Sequence, residues 1–371
     1  MITIGLMSGT SMDGIDGVVA SWRDQGAALP ELRASAHRAF PTALRNELLA
    51  LQRTGSDDLA RSAHAANAVA AEYAELVGTL LKQTGLQPAQ VLAAGAHGVT
   101  VRHAPAANGH GLPGISIQLL NAALLAERTG VSVVHDVRSR DIAAGGQGAP
   151  LVPAFHAQIF GQPGKTQVVL NLGGIANITI LHGDGRVEGF DTGPGNCLLD
   201  LWAQRHRGGT YDDSGRFAAA GTPIASLLER LLRERYFQAP PPKSTGRDLF
   251  NAVWLESHLG GSQAYEAADV QATLTALTAQ TVAEAIRRHA PEVAGVWVCG
   301  GGAKNRALMA DLQSRIGLPM QPVSVRGVDE QHVEALAWAW FARAHVLRLP
   351  GNVPAVTGAA GPRVLGSFTP A

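Results

Sequence analysis

Cysteine is scarce in this chain: Cys197 and Cys299 are the only two in 371 residues, and neither sits in a Cys-x-x-Cys spacing. That excludes a disulfide framework and a thiolate zinc site, and predicts two buried thiols. An excess of charge of either sign is missing too. Lysine plus arginine is 30 and aspartate plus glutamate is 30, so no basic surplus exists for broad nucleic-acid or anionic-membrane binding. No run of about 18 apolar residues occurs. No basic-then-apolar leader opens the sequence, and the expectation is a soluble, cytoplasmic protein. The histidines show no paired spacing on one helix, so no dedicated metal site is expected.

What is present is apolar mass and glycine. Hydrophobic residues make up 46% and charged ones 16%, enough for large cores, and the length predicts two domains at roughly 100–200 residues each. The 43 glycines gather in a few loops. The first loop, Gly5-Leu-Met-Ser-Gly-Thr-Ser-Met-Asp-Gly-Ile-Asp16, follows a strand-like start and runs into a second strand over 15–22. A Gly/Ser/Thr/Asp turn between antiparallel strands wraps backbone N–H groups around phosphate oxygens, and its carboxylates suit the accompanying Mg²⁺. A second turn, Leu172-Gly173-Gly174, joins strands over 167–171 and 175–181 with the same grammar. A third, Gly300-Gly301-Gly302, ends a strand over 295–298 and precedes a helix from 304, a setting for a helix N-terminus beside a ligand. The repetition predicts two related domains, each offering one phosphate loop.

Two other nucleotide signatures fail on detail. Gly164-Lys165-Thr166 resembles the end of a P-loop, but Ile159 stands where its first glycine is required and a strand follows. Gly5, Gly9 and Gly14 have the wrong spacing for a dinucleotide fingerprint and lead into a strand. Between the loops, helices are expected over 42–52, 58–82, 119–128, 197–206, 268–289, 304–315 and 333–347, and strands over 91–96 and 131–134. The glycine-rich stretch 143–150 interrupts everything regular and is the expected domain boundary or hinge. The tail from 350 is expected to pack back on the first domain.

Six separated motifs in order carry a family resemblance over nearly the whole chain. They are 5–16, Ala143 to His156, Asn171-Leu-Gly-Gly-Ile-Ala-Asn177, Phe190-Asp-Thr-Gly-Pro-Gly-Asn196, Pro242-Lys-Ser-Thr-Gly-Arg247 and Val298-Cys-Gly-Gly-Gly-Ala-Lys-Asn305. Together they resemble the 1,6-anhydro-N-acetylmuramic acid kinases of the actin/hexokinase-like superfamily. The resemblance implies an α/β fold of two ribonuclease H-like domains around an interdomain ATP cleft that closes on its ligands. The domains are expected at 1–130 plus 332–371 and at 131–331. The implied activity uses ATP and Mg²⁺ to phosphorylate the anhydro sugar while water opens its 1,6-anhydro ring. The products are N-acetylmuramic acid 6-phosphate and ADP, in peptidoglycan recycling. A homodimer is implied; nucleic-acid and membrane partners are not. A kinase for a related anhydro or amino sugar, or a non-catalytic actin-like ATPase switch, are the competing readings.

Residue by residue, Asp191 matches the family's catalytic aspartate, although an aspartate before a Gly-Pro-Gly turn also serves as a cap. Gly9, Thr10, Ser11, Met12, Asp13, Gly14, Ile15 and Asp16 are expected to form the first phosphate hairpin. Thr10 and Ser11 would donate hydroxyls, and Asp13 or Asp16 would either orient metal-bound water or stabilise the turn. Gly174 and Asn177 frame the second phosphate loop, and Gly301 and Gly302 back the adenosine. On the sugar side, Arg138 and Arg140 either pair with the lactyl carboxylate or close the hinge by a salt bridge. Glu334 either touches a sugar hydroxyl or favours a helix N-terminus. His97 lies where the family reads His-Gly-Gln-Thr; here Val99 replaces the glutamine, and residues 119–122 also depart, which bears on sugar selectivity.

Overall fold

The computed structural model describes residues 1–9, 12–23, 30–105, 112–260, 265–326, 329–330 and 332–371. In chain order its strands are β1 (Ile2–Met7), β2 (Gly14–Ser21), β3 (Glu31–Ala39), β4 (Ala93–Ala96), β5 (Val99–Ala104), β6 (Ile115–Leu119) and β7 (Val133–His135). They continue as β8 (Thr166–Leu172), β9 (Ile175–Leu181), β10 (Val187–Pro194), β11 (Val293–Cys299), β12 (Met320–Pro322) and β13 (Ser367–Thr369). The chain divides into two units, Met1–Ile159 with His332–Ala371, and Phe160–Gln331.

The first unit is built on a six-stranded sheet in the order β13-β7-β4-β1-β2-β3. β1, β2 and β3 form an antiparallel meander, while β4 and β7 add parallel strands on the other side of β1. Gly5 of β1 and Gly95 of β4 are register partners, and a Cβ on either would stand 1.8–2.0 Å from a carbonyl oxygen of the helix Val333–Val346, Ala335 for Gly5 and Trp338 for Gly95. The pair of glycines is a notch that lets the helix backbone rest on the sheet. That helix is buried almost all round, so its apolar residues do not follow one stripe. On the opposite face Leu76 and Leu80 of the helix Asp58–Thr84 cover Gly17 of β2.

The second unit repeats the plan. Its sheet runs β10-β9-β8-β11-β12, an antiparallel meander β8-β9-β10 extended by parallel β11 and β12. Strand for strand this is the order β3-β2-β1-β4-β7 of the first unit, so each unit is ribonuclease H-like and the chain has the two-domain α/β fold of the actin/hexokinase-like proteins. Ala279, Val282 and Ile286 of the helix Ala267–His289 and Leu308 and Leu312 of the helix Arg306–Ile316 pack into the sheet's core. Between β10 and β11 a helical insertion builds a separate aromatic cluster around Trp202, Phe250 and Trp254. Cys197 and Cys299 are both buried thiols, hydrogen-bonded to Phe250 O and Asn171 Oδ1 respectively at 3.8 Å.

Three local expectations change. Residues 131–159, expected with the second domain, cluster with the first unit: β7 is hydrogen-bonded between β4 and β13, and on the helix Val152–Phe160 Gln158 Oε1 accepts from Trp340 Nε1 at 2.6 Å. Residues 143–150 are accordingly no boundary but a loop inside the first unit, folded onto buried Asp141. The helix expected over 119–128 is Ala122–Thr129, because Leu119 ends β6 and Asn121 caps the helix by accepting from Leu124 N–H at 3.0 Å. The tail does return to the first unit, where β13 pairs antiparallel with β7.

Candidate active site

β1 and β2 meet at the pair Met7 and Asp16, leaving the polar turn between them. Thr10 and Ser11 lie outside the described residues. Around them the turn is tied down, with Met12 N–H donating to Gly9 O at 3.2 Å and Phe40 N–H donating to Asp13 O at 3.0 Å. Met12 has φ +51°, a sparsely populated conformation for a non-glycine residue, and its side chain is wholly buried in the core together with Ile15. Both therefore offer a ligand backbone only. Gly14 opens β2 at the end of the turn. Asp13 is exposed, and Asp16 accepts from Nδ1 of His37, its register partner on β3, at 2.8 Å. One or two carboxylates beside phosphate oxygens is the donor set that Mg²⁺ takes, and Asp13 and Asp16 fit it. Among the described residues no group of three or more metal-ligating side chains exists that would form an all-protein cage.

From the turn a buried chain of hydrogen bonds leads to an arginine. Ser8 Oγ lies 2.8 Å from Tyr73 Oη, and Tyr73 donates to Gly98 O at 3.2 Å. The Ser8 carbonyl meets His97 Nδ1 at 2.8 Å; a carbonyl only accepts, so Nδ1 carries the proton and Nε2 the lone pair. Nε2 in turn accepts from Arg138 Nη2 at 3.1 Å. Burial first, and the Arg138 charge second, push the His97 imidazolium down to about 3, so His97 is neutral. Arg138 Nη1 donates to Gly148 O at 2.8 Å, and its buried Nε finds no acceptor among the described residues. Burial lowers the guanidinium, and the Glu334 carboxylate nearby opposes that shift. A cavity of about 280 Å³ lined by His97, Ser116, Gln118, His135 and Asp136 opens beside this group. Arg140, two residues beyond Arg138, is exposed instead.

In the second unit Asp191 lies within β10, opposite Asn177 of β9, at an irregularity in the ladder. A Pro-rich loop further along the chain wraps it. Thr245 N–H donates to Asp191 Oδ2 at 2.9 Å, Asp191 N–H donates to Lys243 O at 3.3 Å, and Tyr236 Oη donates to Asp191 O at 2.8 Å. Lys243 reaches back over the Tyr236 ring at 4.7 Å and donates to Tyr236 O and Phe237 O. Burial pushes the Asp191 carboxyl up to about 6, against the pull of Thr245 N–H and the Lys243 charge. That is a carboxylate poised to accept a proton near neutral pH.

The turn between β8 and β9 sits against the start of the helix Cys197–Arg207. Gly173 O accepts from Asn196 N–H at 2.8 Å, and Gly174 O accepts from Gly195 and Cys197 N–H, each at 3.0 Å. This commits the turn's carbonyls, whose partial charge would repel a phosphate, to the helix. Arg247 Nη2 lies 3.7 Å from where a Cβ at Gly174 would stand. Its charge also opposes the effect of burial on Asp200, whose carboxyl is pushed up to about 6. Gly301, Gly302, Lys304 and Asn305 line a cavity of about 450 Å³ with Asp200 and Asp212. Asn305 is occupied as the cap of the helix Arg306–Ile316, accepting from Leu308 N–H at 3.0 Å. Sequence reasoning assigns no role to Lys243, Thr245 and Arg247 beyond their place in a motif. A polar loop rich in proline says nothing, read locally, about the strand it will fold over.

The whole chain, residues 1–371, matches the family model described as anhydro-N-acetylmuramic acid kinase. The protein of that name from Burkholderia orbicola (strain MC0-3) is 53% identical over 375 residues, covering 100% of this chain and 96% of the relative. The one from Paraburkholderia xenovorans (strain LB400) is 52% identical over 375 residues, covering 100% and 98%. A full-length match at this identity leaves no part of either unit outside the relationship, and the chain belongs to the anhydro-N-acetylmuramic acid kinase family.

Proposed function

We propose that this kinase phosphorylates 1,6-anhydro-N-acetylmuramic acid with ATP while water opens the anhydro ring, yielding N-acetylmuramic acid 6-phosphate and ADP in cell-wall recycling. The observation that carries the reading is the half-buried carboxylate of Asp191, held by Thr245 N–H and raised to about 6. In the reaction Asp191 takes a proton from water as the water oxygen bonds to C1. The C1–O6 bond breaks, and O6 receives the γ-phosphoryl group as ADP leaves. A positioned base of this kind supplies about 10²–10⁴-fold in rate.

The other roles follow the same reading. The hairpin 9–16 and the turn at Gly174, with Asn177 and Arg247, hold the phosphates, and the cavity at Gly301 and Gly302 takes the adenosine. Asp13 and Asp16 would hold Mg²⁺, which when bound neutralises phosphate charge. Arg138 meets the lactyl carboxylate, a role its buried, unpartnered Nε supports. Arg140 is exposed and lies away from that contact, and Glu334, in the first turn of the helix Val333–Val346, is the candidate for a sugar hydroxyl. The homodimer and cytoplasmic location implied by the family resemblance belong to this reading as well. Light scattering tests the first.

ADP release measured with and without 1,6-anhydro-N-acetylmuramic acid tests the function. Turnover that depends strictly on the sugar is expected. Equal turnover without it would replace the kinase by an ATPase switch.

A further inference from the structure

Asp141 is wholly buried, and the partners of its carboxylate are neutral. Gly148 N–H donates to Oδ2 at 2.8 Å, while Asn352 Nδ2 and Thr357 Oγ1 donate to Oδ1 at 2.7 and 2.8 Å. Among the described residues no ion pair involves it. A buried carboxyl needs donors on its oxygens, so what those donors tie together is informative.

It holds the arginine. Gly148, whose N–H is bonded to Asp141, is the residue whose carbonyl accepts from Arg138 Nη1 at 2.8 Å. His97 Nε2 takes Nη2 at 3.1 Å, so two fixed acceptors orient the guanidinium. The loop is folded tightly around the carboxylate: a Cβ on Gly146 would stand 2.2 Å from Asp141 Oδ2. The C-terminal segment locks it from outside, with Gln147 N–H donating to Thr357 O and Ala360 N–H donating to Ala144 O, both at 2.8 Å.

We propose that Asp141 is a positioning residue for carboxylate recognition: through Gly148 it holds Arg138 in the orientation that meets the sugar's carboxylate, with Asn352 and Thr357 of the C-terminal segment completing the support. This rests on the reading of Arg138 given above.

The test is a double-mutant cycle on the full-length enzyme with 1,6-anhydro-N-acetylmuramic acid and ATP. Asp141→Asn keeps the shape but turns an amide donor toward one of the three donors. Its sugar KM should rise roughly tenfold, with kcat changed less than about twofold and the KM for ATP unmoved. Arg138→Lys alone should also raise the sugar KM, and the double variant should be no worse than Arg138→Lys, because the two residues act in series. An unchanged sugar KM in Asp141→Asn, equal losses in the two KM values, or penalties that add in full would overturn the inference. If Arg138→Lys leaves the sugar KM unchanged, it is the reading of Arg138 that fails, and the inference falls with it. Should Asp141→Asn not fold, Thr357→Val removes one donor without changing shape. It is expected to raise the sugar KM several-fold when Arg138 is present and not in the Arg138→Lys variant.

Discussion

The backbone N–H of Thr245 donates to Asp191 Oδ2 at 2.9 Å across 54 residues of sequence. That single bond fixes the carboxylate while leaving its other oxygen for a water. Asp191→Asn keeps the acceptor for Thr245 and loses the base. Turnover should drop about 10²–10⁴-fold, while ATP affinity measured by calorimetric titration stays as in the wild type.

The raised carboxyl sets a pH dependence. Asp191 must be ionised to take a proton, so kcat/KM should fall about tenfold per pH unit below its value of about 6. Burial raises Asp200 into the same range, so Asp200→Asn is the control: the acid limb should survive in it. Stability runs in the opposite sense. A carboxyl raised from 3.8 to about 6 contributes stability below its unfolded value and loses it as pH rises through the folded one. Asp191→Asn should therefore be more stable than the wild type by up to about 3 kcal/mol at pH 8 and close to it at pH 4, read from denaturant midpoints.

His97 is neutral and protonated on Nδ1. In nitrogen and carbon NMR its ring should show that tautomer with no titration between pH 5 and 8. A ring that titrates near its ordinary value would mean that His97 is not buried against Arg138 as described.

The notch under the helix Val333–Val346 predicts a contrast between glycines. Gly5→Ala drives a methyl into the Ala335 carbonyl and should destabilise the first unit by about 3 kcal/mol, the upper end of overpacking costs. At Gly301 a Cβ would meet nothing within 4 Å, so Gly301→Ala should leave the unfolding midpoint unchanged. Equal midpoint shifts in the two variants would contradict the notch.

Arg247 lies beside Gly174 and influences Asp200. Arg247→Ala should raise the KM for ATP roughly tenfold, the order expected for loss of a charge-assisted phosphate contact, with the sugar KM little changed. Steady-state kinetics with each substrate varied in turn separates the two.

Much of this protein is legible before folding. The stretch from Gly5 to Asp16 specifies one hairpin and Leu172-Gly173-Gly174 a second, because a turn's backbone demands are met by the four or five residues inside it. The long helices Asp58–Thr84 and Ala267–His289 show in their spacing, and the rejected P-loop at Gly164 proves to be a turn leading into β8. Strands β3, β5 and β6 do not show. β5 and β6 pair with each other in a sheet of their own, and their short alternation carries little signal without the partner strand. The limits of the first domain are equally hidden, because Val133–His135 looks like any apolar strand until β4 and β13 are seen on either side.

The sequence by itself determined the local chemistry: glycine-rich turns after strands, an aspartate at 191, arginines at 138 and 140, and scarcely any cysteine. Only the tertiary structure decided which of these groups are partners. It turned Arg138 inward and left Arg140 exposed, and it brought Ser8 to His97 across 89 residues. It also folded Thr245 over Asp191 and set Asp141 beneath Arg138 by way of Gly148. The physical reason is burial. A side chain's charge, tautomer and proton affinity depend on the neighbours that replace water around it, and those neighbours come from distant parts of the chain.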